Sequence, residues 1–172
     1  MKTTLNFFFT LLLCSSCFAQ HTLKEGEYQY DGKTFKVKKT IYLDRTLITI
    51  RALGQFEDKP TPGLKDPNGL PMGKKQVHFD IEAVKGIVNN TLRGKFGELQ
   101  RNKDGMTLSF HFWQRDGSIE SISYRLNGSS LITVKEIAAI DKQIKENIRA
   151  TFSGKEHQNY TLIQYGDVKV EF

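Results

Sequence analysis

The 172-residue sequence predicts an α+β domain in which two helices pack on one antiparallel sheet to form two layers. Three observations lead to this fold class. Paired runs of alternating apolar and polar residues predict hairpins, two longer stretches with apolar residues three and four apart predict helices, and 38% hydrophobic against 26% charged residues is typical of a globular protein. The expected order of elements is β-β-(β)-loop-β-α-β-β-α-β, in which the third strand is optional.

The first 19 residues have the pattern of a secretory signal peptide. Lys2 supplies a positive charge, residues 5–13 are mostly apolar, and Cys17 and Ala19 are small residues where a signal peptidase cleaves. The apolar run is shorter than the ~20 residues that a membrane span needs. We therefore expect a mature chain that begins at Gln20, has no transmembrane segment, and is exported to the periplasm or the extracellular space.

A lipoprotein signal is the alternative interpretation of the same segment. Ser16 is a small residue before Cys17, which suits lipidation of that cysteine, but Cys14 stands where such signals usually have leucine. Lipidation would make the protein an outer-membrane lipoprotein. Because both cysteines of the chain lie here, the first interpretation leaves a mature chain without disulfides or thiolate sites.

The mature chain would be mildly basic. Removal of Lys2 leaves 24 Lys and Arg residues against 19 Asp and Glu, a net charge of +5. This charge would suit an anionic membrane surface or an acidic polysaccharide, and lysines dispersed over a solvated surface explain it more simply. The basic clusters at residues 36–39 and 74–75 are too short for a nucleic-acid interface, so we expect no nucleic acid as a partner.

The mature chain is expected to form a single domain, residues 20–172, whose N-terminal part (20–54) consists of strands. Residues 27–53 predict two or three antiparallel strands, because they alternate in polarity and are rich in β-branched and aromatic side chains. Asp31 and Gly32 mark the turn after the first of these strands.

Residues 55–75 predict a long loop. They contain all four prolines of the chain and three glycines, a composition that excludes a helix or a central strand. Loops of this length are usually functional or mobile, and the scarcity of aromatic and acidic side chains favours mobility here.

Residues 76–172 predict a unit of strands and helices. A short strand at 77–81 leads into a first helix with the apolar stripe Ile81, Val84, Ile87, Val88, Leu92, Phe96 and Leu99. A capping box of Thr133 and Glu136 begins the second helix, and Gly154 is expected to end it. The stripe of this helix consists of Val134, Ile137, Ala138, Asp141, Ile144, Ile148 and Phe152. Asp141 is its polar member, so we expect it at the edge of the stripe.

A hairpin is expected between the two helices, and a final pair of short strands after them. Asp116 and Gly117 are a strong turn signal between two runs of strict alternation. The first run carries the apolar residues Met106, Leu108, Phe110 and Phe112, and the return run carries Ile122, Tyr124 and Leu126. Near the C-terminus, Gly166 and Asp167 predict a bulge or a tight turn between residues 160–164 and 168–172.

Residues 105–172, about two fifths of the chain, resemble the C-terminal domain of the TonB/TolA family. The resemblance lies in the strand G-M-T-L-S-F at 105–110, the turn and strand D-G-S-I-E-S-I at 116–122, the capped helix, and the final strand V-K-V-E-F at 168–172. It implies a sheet whose edge pairs with a short segment of an outer-membrane partner by strand addition.

The sequence also departs from that family. A cleavable signal stands in place of the membrane anchor of the energy transducers, and residues 1–76 contain no long proline-rich spacer. Phe152 stands where the family often has tryptophan. The resemblance therefore implies a TonB-like fold without energy transduction, and it assigns no individual binding residue.

Trp113, His111 and Arg125 are the candidate binding residues. Trp113 and His111 alternate with the apolar residues of their strand, so they lie on its opposite face. If the apolar residues face the helices, this opposite face is open, and Trp113 could stack on a sugar or a partner peptide. The alternative is that the N-terminal strands cover this face.

The sequence predicts no catalytic residues, metal site or cofactor. Its histidines, His21, His78, His111 and His157, lack zinc-binding spacing, and motifs of serine hydrolases and nucleotide-binding proteins are absent. We expect a non-enzymatic interaction module of the bacterial envelope that uses a sheet edge or the open sheet face. Its partner would be another envelope protein or a glycan, and it could form a homodimer through a sheet edge. The alternatives are a small secreted hydrolase or carbohydrate-active enzyme, and a structural envelope lipoprotein.

Overall fold

The computed structural model of the chain describes residues 23–54, 56, 62, 64–65 and 72–172. The predicted signal segment, Cys17, His21 and much of the predicted 55–75 loop therefore lie outside the described residues.

The described residues confirm the α+β fold class, with helices on an antiparallel sheet. The elements in chain order are β1 (Gly26–Tyr30), β2 (Lys33–Tyr42), β3 (Arg45–Ala52), β4 (Val77–His78), α1 (Ile81–Leu92), α2 (Phe96–Arg101), β5 (Gly105–Trp113), β6 (Ile119–Asn127), α3 (Val134–Asn147), β7 (Thr151–Phe152) and β8 (Leu162–Glu171). Six strands form one sheet in the order β1-β2-β3-β6-β5-β8, and β4 pairs with β7. Among the described residues, no helix is long and apolar enough to cross a membrane.

The N-terminal strands extend the sheet instead of covering it. β3 pairs antiparallel with β6, so that Ile48 lies opposite Leu126 and Ile50 opposite Tyr124. The buried residues of the helices join one core cluster with the apolar residues of the strands. The opposite face of the sheet carries partly or fully exposed side chains, so the covered-face alternative is wrong for the described strands.

The first helix is shorter than its apolar stripe predicts. The Asp80 carboxylate accepts a hydrogen bond from the Ala83 amide at 2.8 Å and begins α1, but a 3-10 turn at Arg93–Lys95 separates α1 from α2. The interruption includes Gly94, a residue that disfavours helix. Leu92 and Leu99 are still both buried, because the turn redirects the chain along the same core.

The capping box of the second helix is confirmed, whereas its predicted end is wrong. The Glu136 amide donates to Thr133 Oγ1 at 3.3 Å, and Glu136 Oε2 accepts from the Thr133 amide at 2.8 Å. The helix ends at Asn147. Phe152, expected on its stripe, lies instead in β7 and pairs with Val77 of β4. This strand pairing links segments far apart in sequence, which helical periodicity cannot reveal.

The last two predicted strands form a single strand with a bulge. The register between β5 and β8 shifts between Leu108, which faces Val168, and Phe110, which faces Tyr165. Asp167 has a φ of 65°, which allows the extra residue to be accommodated.

Asp141 is inside the core rather than at the edge of the helix stripe, contrary to the prediction. Its exposed fraction is 0%. Lys33, Lys145 and Tyr124 surround its carboxylate. Burial of this charge is possible because two cations and a hydroxyl compensate for the water that it loses.

Candidate functional site

The open face of the sheet carries a row of polar side chains. Thr107, Ser109, His111 and Trp113 of β5 alternate with the buried residues of that strand. Arg125 of β6 lies beside Thr107 in the register. The six residue steps from Thr107 to Trp113 span ~20 Å. The face therefore has an aromatic end at Trp113 and a basic end at Arg125.

At the aromatic end, neighbouring side chains hold Trp113. Its indole Nε1 donates a hydrogen bond to Glu120 Oε2 at 3.0 Å. The Arg115 guanidinium lies 4.7 Å from the ring centroid, and the Phe56 ring lies 6.0 Å from it. Because these contacts half-bury the indole, Trp113 does not present a bare aromatic surface to a ligand.

His111 precedes Trp113 by two residues on β5, so the two side chains lie on the same face of the sheet. Its Nδ1 is 3.1 Å from Ser121 Oγ. Burial lowers the pKa of His111, the positive charge of Arg51 lowers it further, and Glu120 partly opposes both. A cavity of about 40 Å³ next to this pair has room for water but not for a substrate.

A second serine–histidine contact, which the sequence did not indicate, lies away from this face. His78 Nε2 is 2.9 Å from Ser153 Oγ, and both residues are exposed. The pairing of β4 with β7 brings them together, although they are 75 residues apart in sequence. His157, in turn, stacks on Phe152 with ring centroids 5.8 Å apart. Within the described part of the chain, no group of three or more potential metal-binding side chains exists.

A groove of about 600 Å³ occupies the basic end of the face. It lies where β3 and β5 begin and β6 and β8 end, and its lining includes the cationic residues Arg45, Lys103, Arg125 and Lys169. All four are exposed. Within the described residues, none of the four side chains forms an ion pair or a hydrogen bond.

Two acidic side chains also line this groove, but only one of them faces solvent. Asp104 is buried, and its Oδ2 accepts hydrogen bonds from the Leu131 amide at 2.8 Å and from Asn102 Nδ2 at 3.3 Å. Glu171 is exposed. The solvent-facing charges of the groove therefore sum to a positive value, and the groove suits an anionic ligand.

Only Arg125 of the four groove cations was a candidate from sequence. Arg45, Lys103 and Lys169 occur singly, in different elements or turns, so no local basic cluster indicates them. Antiparallel pairing of strands that are distant in sequence brings them to the same end of the sheet.

Comparison with known proteins supports the fold alone. No family model matches the chain, and no curated protein matches it significantly. Among solved structures, the chain is similar to the crystal structure of a DUF5043 family protein from Bacteroides uniformis ATCC 8492. The TM-score is 0.62 at 14% sequence identity, over 84% of this chain and 85% of the other. The two proteins therefore have similar folds.

Proposed function

We propose that the protein is an exported, non-enzymatic binding module that holds an anionic ligand on the open face of its sheet. The observation that carries this proposal is the groove in which the side chains of Arg45, Lys103, Arg125 and Lys169 stand against one exposed acidic side chain, that of Glu171. An acidic glycan of the cell envelope is the ligand class that fits best. Export rests on the signal pattern of residues 1–19, with lipidation of Cys17 as the alternative.

The polar row beside the groove supports a glycan in particular. Thr107 lies at the basic end beside Arg125, and Ser109 and Ser123, which face each other in the register, lie between the basic and aromatic ends of the face. Their hydroxyls can donate to and accept from sugar hydroxyls. A ligand that extends from the groove along this row would meet cations first and neutral hydrogen-bonding groups next.

The edge of the sheet that β8 forms is the weaker candidate for the binding surface. β8 is an edge strand, and strand addition in the manner of the TonB/TolA family would use such an edge. However, its exposed side chains include Asp167, Lys169 and Glu171, and Asp167 lies in the bulge. Charges and bulges on an edge strand oppose pairing with another chain. The same features oppose a homodimer through β8.

The binding test compares a charged and a neutral polymer. We expect the chain to bind dextran sulfate and not neutral dextran in isothermal titration calorimetry. Replacement of two groove cations, Arg125→Gln with Lys169→Gln, should weaken binding at least about tenfold and flatten its salt dependence, because released counterions drive such binding.

The matched control variant removes the same number of positive charges from the helical layer. Lys135 is exposed on α3, and the double variant Lys135→Gln with Lys142→Gln removes two charges from the helical side. We expect it to bind almost like the parent chain. Equal weakening by the two double variants would show that net charge alone attracts the polymer, and the groove would lose its role.

A small secreted hydrolase is the second candidate function, and the contact of Ser153 with His78 is the observation that favours it. A serine activated by histidine would react with a fluorophosphonate probe. Labelling that Ser153→Ala abolishes would support this alternative, and absence of labelling would exclude a serine nucleophile of this kind.

A further inference from the structure

The hairpin between β2 and β3 ends in consecutive exposed apolar residues. Ile41, Tyr42 and Leu43 have exposed fractions of 78%, 63% and 78%. Together with Asp44 they form what we call the hairpin tip. Leu64 is the other large apolar residue that is exposed in the described part of the chain, at 41%. Such a concentration at one projecting point indicates an interaction surface.

The turn at the tip gives Leu43 an unfavourable backbone. Tyr42 pairs with Arg45, and the two residues between them have φ values of 45° and 61°. Positive φ at both positions is the type I′ turn, which favours Asn-Gly. Leucine is disfavoured there because its Cβ crowds the backbone. An asparagine would suit both the turn and the solvent better, so folding of the hairpin does not explain Leu43.

The tip projects beyond the neighbouring strands. The pairing of β3 with β6 begins at Leu47, and the pairing of β1 with β2 extends only to Val37. The residues of the tip therefore pair only with their own hairpin. Such a convex point cannot supply the ~800 Å² per partner that a stable protein interface buries. Insertion into a lipid bilayer would bury its side chains without a large complementary protein surface.

Cations lie behind the tip at the same end of the sheet. Lys38 and Arg45 belong to the same hairpin, and Arg125 belongs to the groove at the end of the sheet from which the tip projects. The acids at this end are Asp44 in the turn and Glu25, whose carboxylate lies beside Lys39. An apolar point with cations behind it complements a bilayer whose headgroups are anionic.

The chain also enters the fold at this end. Glu25 Oε1 accepts a hydrogen bond from the Lys39 amide at 2.7 Å, so the residues before β1 run beside the outer part of β2. Cys17, the alternative lipidation site, precedes Leu23 by six residues, which is at most ~20 Å of extended chain. An attached lipid would therefore hold this same end near a membrane.

We propose that the hairpin tip inserts Tyr42 and Leu43 into the interface of an anionic lipid bilayer, while Lys38 and Arg45 contact the lipid headgroups. This inference goes beyond the proposed function, which concerns a soluble anionic polymer. Tyrosine suits the interface because its ring is apolar and its hydroxyl remains hydrated.

The test measures sedimentation of the processed chain, without residues 1–19, with lipid vesicles. This chain contains every buried residue that the structure describes between Leu23 and Val170. We expect binding to vesicles of phosphatidylglycerol and phosphatidylcholine, and much weaker binding to phosphatidylcholine alone. Leu43→Asn should lower the partition coefficient about tenfold, because it removes inserted apolar surface. Asparagine tolerates positive φ, so the fold should persist.

Leu64→Asn is the matched control, since it makes the same change at an exposed leucine outside the tip. It should leave vesicle binding unchanged. A second measurement uses Tyr42→Trp, whose added fluorescence should shift to shorter wavelength on vesicles and be quenched by brominated acyl chains.

Three outcomes would overturn the proposal. Leu43→Asn could bind vesicles like the parent chain, the Tyr42→Trp fluorescence could escape quenching, or Leu43→Asn could dissociate an oligomer, which would make the tip an interface between copies. Titration of Leu43→Asn with dextran sulfate separates this proposal from the preceding one. Unchanged polymer binding with lost vesicle binding would locate the defect at the tip rather than in the groove.

Discussion

The Lys33 ammonium on β2 lies 3.3 Å from the buried Asp141 carboxylate on α3. Lys145 approaches the same carboxylate at 3.6 Å, and the Tyr124 hydroxyl donates to it at 3.4 Å. Lys145 also donates to the Glu120 carbonyl at 3.0 Å. Burial lowers the pKa of Lys145, although Asp141 opposes this shift, and burial raises the pKa of Tyr124. This cluster joins the N-terminal hairpin, the central sheet and α3 through one carboxylate.

Removal of Asp141 should therefore be among the most destabilising changes on α3. We expect Asp141→Ala to lower the free energy of unfolding by about 3–5 kcal/mol, because it leaves Lys145 largely buried without its counterion. Lys33→Met should cost about 1 kcal/mol or less, since that lysine is partly solvated. Urea denaturation measures both changes. Glu146→Ala, on the exposed side of the helix, should stay within about 0.5 kcal/mol of the parent, and an Asp141→Ala cost of similar size would contradict a structural role for the cluster.

Gly117 should tolerate no side chain, whereas Gly32 should. Both have positive φ, 66° and 72°. A Cβ at Gly117 would collide with the Ala150 carbonyl, while a Cβ at Gly32 meets open space. We expect Gly117→Ala to cost about 3 kcal/mol or more, and Gly32→Ala about 1 kcal/mol from backbone strain alone. If both variants lowered the melting temperature equally, the Ala150 backbone would be able to move away from the added Cβ, and the predicted collision would be wrong.

The stability of the fold should decrease in mild acid because of His111. Its folded-state pKa lies below 6.5, owing first to burial and then to Arg51. The unfolded chain therefore takes up a proton below about pH 6.5 that the folded chain resists, and the free energy of unfolding falls as the pH drops through that region. His111→Gln should flatten this decrease between about pH 7 and pH 5. Persistence of the full decrease in the variant would assign it to other groups.

Trp113 is the single tryptophan of the chain, so its fluorescence reports directly on the aromatic end of the sheet face. Glu120→Ala removes the carboxylate that accepts the indole hydrogen bond. We expect a shift of the emission to longer wavelength and a loss of about 1–2 kcal/mol of stability, because the indole gains access to water and loses a partner. Glu98→Ala, at an exposed position of α2, should change neither. Unaltered emission in Glu120→Ala would mean that Phe56 and Arg115 hold the ring without it.

Local patterns predicted the elements whose causes are local. Strict alternation predicted β5 and β6, and the Thr133 side chain with Glu136 predicted the beginning of α3. The C-terminal ends of the helices did not follow from local patterns. Phe152 fits a helical stripe in the sequence, but its pairing with Val77, 75 positions earlier, draws it into a strand.

The sequence by itself determined the fold class and the hairpin of β5 and β6, because alternation, turn residues and capping act between near neighbours. Tertiary structure alone decided that Asp141 is buried, since the cation Lys33 that approaches its carboxylate lies 108 positions away. Tertiary structure also assembled the basic groove, because long-range antiparallel pairing brings Arg45, Arg125 and Lys169 to one end of the sheet. Charge attraction and strand pairing depend on distance in space, which separation along the chain does not reveal.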